Sequence, residues 1–439
     1  MLNILYIVRY FFFYFFIYFL FSIIYIYIVI PYFSYEKYYY IDISEEKIIL
    51  SIFFLFLFSL ILEKKEKISV ALINALIGFS IIPMLVLFSF QNLSSEYMLY
   101  ATISVILIML ICRIRFNFGV ITLNIRYISI AVFVISFFIL LFLFLINYKY
   151  FNLNIIKIYE FRGLISENTP VWITYLYNIL FKGLLPLLFL YYLFHLESKL
   201  QKFILSFFLI IFYTLIFGIT SHKFFLFIIP ALIFIYLIIN FLKDLKLFFI
   251  KIVIFILVLF IIFFIFIPNS EFYLLMSSLF IRREFFVPAM VNFSYFEFFK
   301  NHNFVYFTDS NFLPFKFILG YPYDLDISHL IGREMFGKPE MGANTGWLGS
   351  GYAHLGFVGM LIYAFIISIL LKYLDYVSRY LKKKFILVSF FPFINTLFLS
   401  SDLKTVFVTH GLAFYIILIG VFAYNQKKER IKLIFNDKI

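Results

Sequence analysis

The run YFFFYFFIYFLFSIIYIYIVI, Tyr10–Ile30, carries no charge and has the length of roughly 20 apolar residues that a helix needs to cross a bilayer core. It is longer than the core of a signal peptide and lacks an A-x-A-like cleavage site, so it reads as a retained helix, roughly Leu5–Ile30. Similar runs follow at roughly Ile48–Leu62, Ile68–Phe90, Tyr97–Ile111, Ile128–Ile146, Val171–Phe194, Phe203–Gly218, Phe224–Phe241, Leu247–Ile267, Tyr352–Leu371, Phe385–Leu399 and Thr405–Tyr424. The expected fold is an all-α polytopic integral membrane protein of about 12 transmembrane helices. The second, fourth and eleventh runs are short for a bilayer.

Composition points the same way. Hydrophobic residues make up 65% of the chain and charged ones 13%, with a mean hydropathy of +1.05. A soluble domain carries about 25% charged residues, so that class is excluded. The net charge of +13 is not a nucleic-acid footprint, because the lysines and arginines sit in short clusters between apolar runs rather than on one folded surface. The single cysteine, Cys112, excludes an intramolecular disulfide.

Those basic clusters give an orientation. With the N-terminus cytoplasmic, alternate connections hold Lys64, Lys65 and Lys67, then Arg113, Arg115 and Arg126, then Lys243, Lys246 and Lys251, then Lys372, Arg379 and Lys382–Lys384, whereas the short outer loops are poor in basic residues. Positive-inside bias therefore puts both termini in the cytoplasm. It divides the chain into residues 1–280, with nine helices, a large extracytoplasmic loop at 281–351, and residues 352–439, with three helices and a tail. Ile281–Gly359 is the only long segment that does not read as membrane-spanning, and chemistry is expected there.

Three basic residues stand out on or near the outer face. Arg162 precedes Thr169-Pro170, which reads as an N-cap and N1 pair, and Lys223 follows Thr220 and Ser221 at another helix start. A cation beside a helix N-terminus suits an anion, and snorkelling to headgroups is the alternative. Lys182 lies roughly 16 Å into its helix, and an intramembrane cation is a functional candidate by default.

In the outer segment, Arg282-Arg283 suits a phosphate, because guanidinium forks pair with its oxygens. The aromatics Phe293, Tyr295, Phe296, Phe298 and Phe299 have no clean helical face, and read as interfacial or as platforms for sugar rings. Asp309 in YFTDS can bind a polyol or cap a turn. Asp324-Leu325-Asp326 with His329 has metal-like ligands at an unspecific spacing. The glycine-dense GANTGWLGSGYAHLGFVG, Gly342–Gly359, allows close backbone approach, with Asn344, Thr345, Tyr352 and His354 as its lining. Small-residue helix packing is the alternative at Gly356 and Gly359. His354 is the most plausible titrating group.

RREFFVPAMVNFSYFEFF, YFTDS and GANTGWLGSGYAHLGFVG, with the weaker YEFRG, GITSHK and SSDLKTVFVTHG, resemble the O-antigen polymerase family, the oligosaccharide repeat-unit polymerases of bacterial inner membranes. The resemblance covers about the second half of the chain plus the twelve-helix layout. It implies a glycosyltransferase without metal or other cofactor. A growing glycan would pass from undecaprenyl pyrophosphate to a sugar hydroxyl of the incoming lipid-linked unit, with a chain-length regulator as a further partner. Arg162, Lys223, Arg282 and Arg283 would hold the pyrophosphate, and His354, Asp309 and Glu160 are the candidate bases. Tyr295, Asn344, Thr345 and Tyr352 complete the expected substrate contacts.

Competing readings are a sugar-chain ligase, a transferase using a monosaccharide-phosphate carrier with Asp42, Glu45 and Glu46 in its first outer loop, and a flippase for the same lipid-linked glycan. A transporter favours charged cavities at the bilayer midplane and paired repeats. No fixed-period repeat is found here.

Overall fold

The computed structural model describes residues 2–36, 38–119, 122–155, 157–268, 270–309 and 315–436, so that Lys37, Ser310 of the YFTDS stretch and Lys438 lie outside the described residues. Among the described residues the regular structure is entirely helical. Nine of these helices are long and apolar enough to cross a membrane: α1 (Ile4–Glu36), α2 (Ile68–Phe90), α3 (Ile125–Tyr150), α4 (Val171–His195), α5 (Lys199–Thr220), α6 (Lys223–Phe241), α7 (Phe248–Phe266), α8 (Trp347–Val377) and α9 (Lys383–Ser400). The other three apolar runs are also helical. Glu45–Ile61 and Ser95–Ile111 are 17 residues each, and the last run is divided into Leu403–Val408 and Leu412–Asn436.

Polar residues start several of these helices. The side chains of Ser44, Ser94 and Asn124 each accept a backbone N–H of the first turn, satisfying groups that have no partner within the helix. Prolines shape the interiors. Four π-helical turns, Tyr25–Val29, Ile77–Ile81, Ile179–Leu184 and Ser277–Phe286, are each followed two residues later by Pro31, Pro83, Pro186 or Pro288. A proline ring clashes with the carbonyl four residues back, which belongs here to Tyr27, Phe79, Lys182 or Glu284. In all four cases that carbonyl falls inside the widened turn.

The chain forms two compact units, one of Met1–Phe116, Asp244–Lys372 and Ile394–Leu403, the other of Asn117–Lys243, Tyr373–Phe393 and Lys404–Ile439. In the first, α2 is buried nearly all round, with α1, Glu45–Ile61 and α7 against it. A buried polar chain ties these helices together: Tyr14 Oη donates to Asn74 Oδ1 at 2.5 Å, and Asn74 Nδ2 to the Lys246 carbonyl at 2.8 Å. In the second, α3 and α5 turn Phe133, Phe137, Phe138, Phe203, Phe207 and Phe208 outward. An outward aromatic surface of that kind suits acyl chains and not water.

The segment from Ile281 to Gly359 is more helical and more buried than its sequence suggests. Val287–Lys300 is an α-helix in which Phe293, Tyr295, Phe296, Phe298 and Phe299 are all buried, so these aromatics are core and neither interfacial nor platforms for sugar. They lack one apolar face because the helix is buried around most of its circumference, with only Glu297 and Lys300 exposed. Thr169 is also not an N-cap: it ends the helix Ile158–Asn168, donating its hydroxyl to the Ile165 carbonyl at 2.7 Å, and Pro170 takes the N-cap position of the next helix.

Candidate active site

The first unit builds a polar centre from a broken helix. Within α8 the backbone leaves helical geometry at Leu355 and Gly356. Gly356 has φ +59°, and a Cβ there would sit 2.9 Å from the Phe304 ring, so this position needs glycine on both counts. The break frees carbonyls that a continuous helix would use. Ala353 O accepts from Val305 N at 2.9 Å and His354 O from Tyr306 N at 3.1 Å, which draws the 305–309 loop against the break. Tyr306 and Phe307 pay for this fit with φ of +51° and +61°, uncommon for residues with a side chain.

The result brings together two of the three expected bases. His354 is fully buried, with the Phe307 ring stacked on it at 4.4 Å between centroids. Its Nε2 lies 3.0 Å from Asp402 Oδ2, and the other oxygen of Asp402 accepts from Tyr363 Oη at 2.7 Å. A carboxylate can only accept, so Nε2 carries a hydrogen, and in the neutral ring Nδ1 is left with a lone pair. Nδ1 is buried without a hydrogen-bond partner among the described residues. Asp309 is exposed, and it, His354 and Asp402 each present a ligand-type atom within 4.8 Å of the others, a set that can also hold a divalent cation.

Asp402 and Tyr363 were not singled out in the sequence. The available signal for Asp402 was its place in SSDLKTVFVTHG. Asp402 follows a π turn, Thr396–Ser400, whose backbone lies so close to Gly346 that a Cβ there would be 2.4 Å from the Phe398 carbonyl oxygen. The glycine-dense stretch therefore serves close packing at Gly346 and a break at Gly356.

Several other expected contacts in this unit have internal partners. Arg282 is buried, donating to Glu36 at 3.1 Å and to Ser278 at 3.0 Å, with its guanidinium 5.1 Å from the Phe33 ring centroid. Lys338 reaches the same Glu36 at 3.3 Å. Arg283 is exposed. Tyr295 is buried and donates to the Ala343 carbonyl at 3.0 Å, Tyr352 is buried among Tyr97, Phe296 and Phe304, Thr345 is buried and Asn344 is exposed. In the DLD stretch, Asp324 pairs with Arg333 at 2.6 and 3.1 Å, which holds its carboxyl below the usual range. Asp326 takes hydrogen bonds from Ser328 and His329. These outweigh its partial burial and lower it too. The two carboxylates are thus committed to different partners.

The second unit holds a separate cluster of basic groups. Glu160 and Arg162 are exposed on the helix Ile158–Asn168. Arg162 acts electrostatically on Tyr177, Lys182 and His222, and Lys182 on His410. Burial, followed by these two cations, pushes His222 down to about 3, so it stays neutral. Lys182, in the π turn before Pro186, lies 5.9 Å from the Phe224 ring centroid. Among the described residues neither Arg162 nor Lys182 forms an ion pair. Lys223 opens α6 one residue beyond His222, and Ser221 with φ +51° ends α5. Positive groups gathered in this way, as Arg162 and Lys182 are, favour an anion.

Comparisons with known protein families, with curated proteins and with solved structures find no match to this chain.

Proposed function

We propose that the chain is a glycosyltransferase that polymerises lipid-linked oligosaccharide repeat units, as its resemblance to the O-antigen polymerase family implies. It would work in a bacterial inner membrane with twelve crossings, both termini cytoplasmic and the segment before α8 outside. The basic clusters of the alternate connections support that orientation. The donor is a glycan on undecaprenyl pyrophosphate, the acceptor a sugar hydroxyl of the next lipid-linked unit, and a chain-length regulator is a further partner.

The observation that carries this reading is the His354–Asp402 pair, whose Nδ1 is unengaged, in a cluster with the exposed Asp309. The acceptor oxygen attacks the anomeric carbon of the donor glycan, its proton passes to His354 Nδ1, and the bond from that carbon to the pyrophosphate oxygen breaks. Asp402 orients the ring and offsets the positive charge it acquires, while Tyr363 holds Asp402. The leaving pyrophosphate needs fixed cations, a role that the resemblance, and not their placement in the fold, gives to Arg162, Lys223 and Arg283. Arg282, neutralised by Glu36, is assigned to support of that segment.

Radiolabelled repeat-unit lipid in proteoliposomes tests the reading. Elongation of the lipid-linked glycan is expected, and its loss in His354→Gln. Transfer to a different acceptor without elongation would make the protein a ligase, and movement across the bilayer without elongation a flippase.

A further inference from the structure

Glu284 is a half-buried carboxylate that the proposed chemistry does not use. It stands four residues before Pro288, within the π turn Ser277–Phe286. Its neighbour Arg282 is directed to Glu36, and Glu284 forms no ion pair among the described residues. Instead it accepts a hydrogen bond from the side-chain amide of Asn395. A carboxylate removed from water without a cation is costly, so its retention here points to a purpose for that hydrogen bond.

That purpose lies in what Asn395 does next. It is the last residue of the helical stretch Lys383–Asn395, and the π turn Thr396–Ser400 follows at once. Its Oδ1 accepts from Ser400 Oγ at 2.7 Å, so one amide spans the turn while its nitrogen is fixed to Glu284. Ser401 is extended, with φ −146° and ψ 143°, and delivers the chain directly to Asp402. Gly346 clamps the same turn at Phe398 through backbone contact. The turn is thereby held at both ends, and a charge-assisted bond is the stronger of the two kinds available to Asn395.

We infer that Glu284 is a positioning residue: through Asn395 and Ser400 it fixes the turn that carries Asp402 and so holds that carboxylate against His354 Nε2. The two proline-linked π turns of the sequence that contain charged side chains thus serve different groups, Lys182 in the basic cluster and Glu284 in the dyad. Loss of the Asn395 bond should let Asp402 shift by enough to release Nε2, freeing the imidazole to exchange tautomers.

The effect on turnover rests on the polymerase reading, but the tautomer does not. The full chain in nanodiscs, labelled with 15N-histidine, gives the ring nitrogen resonances, and His354→Gln identifies those of His354. The wild type is expected to hold a single Nε2–H tautomer. Glu284→Ala and Asn395→Ala should each yield a mixture, whereas Glu284→Gln, whose amide oxygen can still accept from Asn395, should restore the single form. In elongation assays the two alanine variants should lose about tenfold or more in kcat at unchanged KM, with recovery in Glu284→Gln. An unchanged His354 tautomer in both alanine variants overturns the inference. If Glu284→Ala does not fold, Asn395→Ala and Ser400→Ala cut the same strap from the other side, and a wild-type tautomer in both overturns it equally. Absence of elongation by the wild type would defeat the polymerase reading alone, since the tautomer still reports on Glu284.

Discussion

The carbonyl of His354 accepts the amide of Tyr306 at 3.1 Å, so the residue that offers its imidazole to Asp402 also pins the loop that carries Asp309. One helix break accounts for both. A continuous helix would keep that carbonyl within its own ladder and leave the loop without an anchor.

The break itself is therefore testable. Gly356→Ala forces a side chain into φ +59° and against the Phe304 ring. The variant is expected to lose stability of order 1–3 kcal/mol and most of its elongation activity. Thermal unfolding in detergent and turnover of labelled lipid check it, and a variant equal to wild type in both would mean that the break is not needed.

His354→Gln should lower turnover by about 10²-fold or more with donor binding nearly intact. Asp402→Asn should cost a comparable amount, because an amide can donate to Nε2 and favour the opposite tautomer. If the two act as a unit, the double variant is scarcely worse than either single one. Multiplicative losses measured in the same proteoliposomes would separate their roles.

Arg162 and Arg282 should behave differently. Arg162 has no ion-pair partner among the described residues, so Arg162→Lys is expected to be partly tolerated and Arg162→Ala to abolish most turnover without altering the unfolding temperature. Arg282→Ala leaves Glu36 with Lys338 as its cation and the Tyr38 hydroxyl as a further donor, and should cost about 2 kcal/mol of stability. Unfolding curves and turnover for each variant decide the matter. Lost activity in a fully stable Arg282→Ala protein would return that guanidinium to the pyrophosphate.

Chelation distinguishes a dyad from a metal centre. Turnover is expected to survive EDTA if His354 is the base and arginine and lysine supply the positive charge. Loss with EDTA and recovery with a divalent ion would assign the ion to Asp309, His354 and Asp402, because the carboxylates of the DLD stretch are held by Arg333, Ser328 and His329.

The pH dependence of stability should carry the mark of Glu284. Burial pushes its carboxyl from 4.5 up to about 6, against the pull of the Asn395 amide. A raised carboxyl binds its proton more tightly in the folded than in the unfolded chain. Its contribution is therefore complete below about 4.5 and is lost as pH rises through about 6. Between those values the unfolding temperature of the wild type should fall relative to that of Glu284→Gln. Parallel curves for the two proteins would contradict the assignment.

The sequence by itself determined the membrane class and the approximate place of every long helix, because bilayer crossing depends on local apolar length, which a single run displays. It also named His354 and Asp309 as candidates. Only the tertiary structure decided who partners whom. The bonds His354–Asp402 and Arg282–Glu36 join residues 48 and 246 positions apart, a separation no helical or proline period reaches. The aromatics of Val287–Lys300 were misread for the same reason: an apolar helix has the same sequence whether it lies against lipid or inside a protein core, and only its neighbours decide between them.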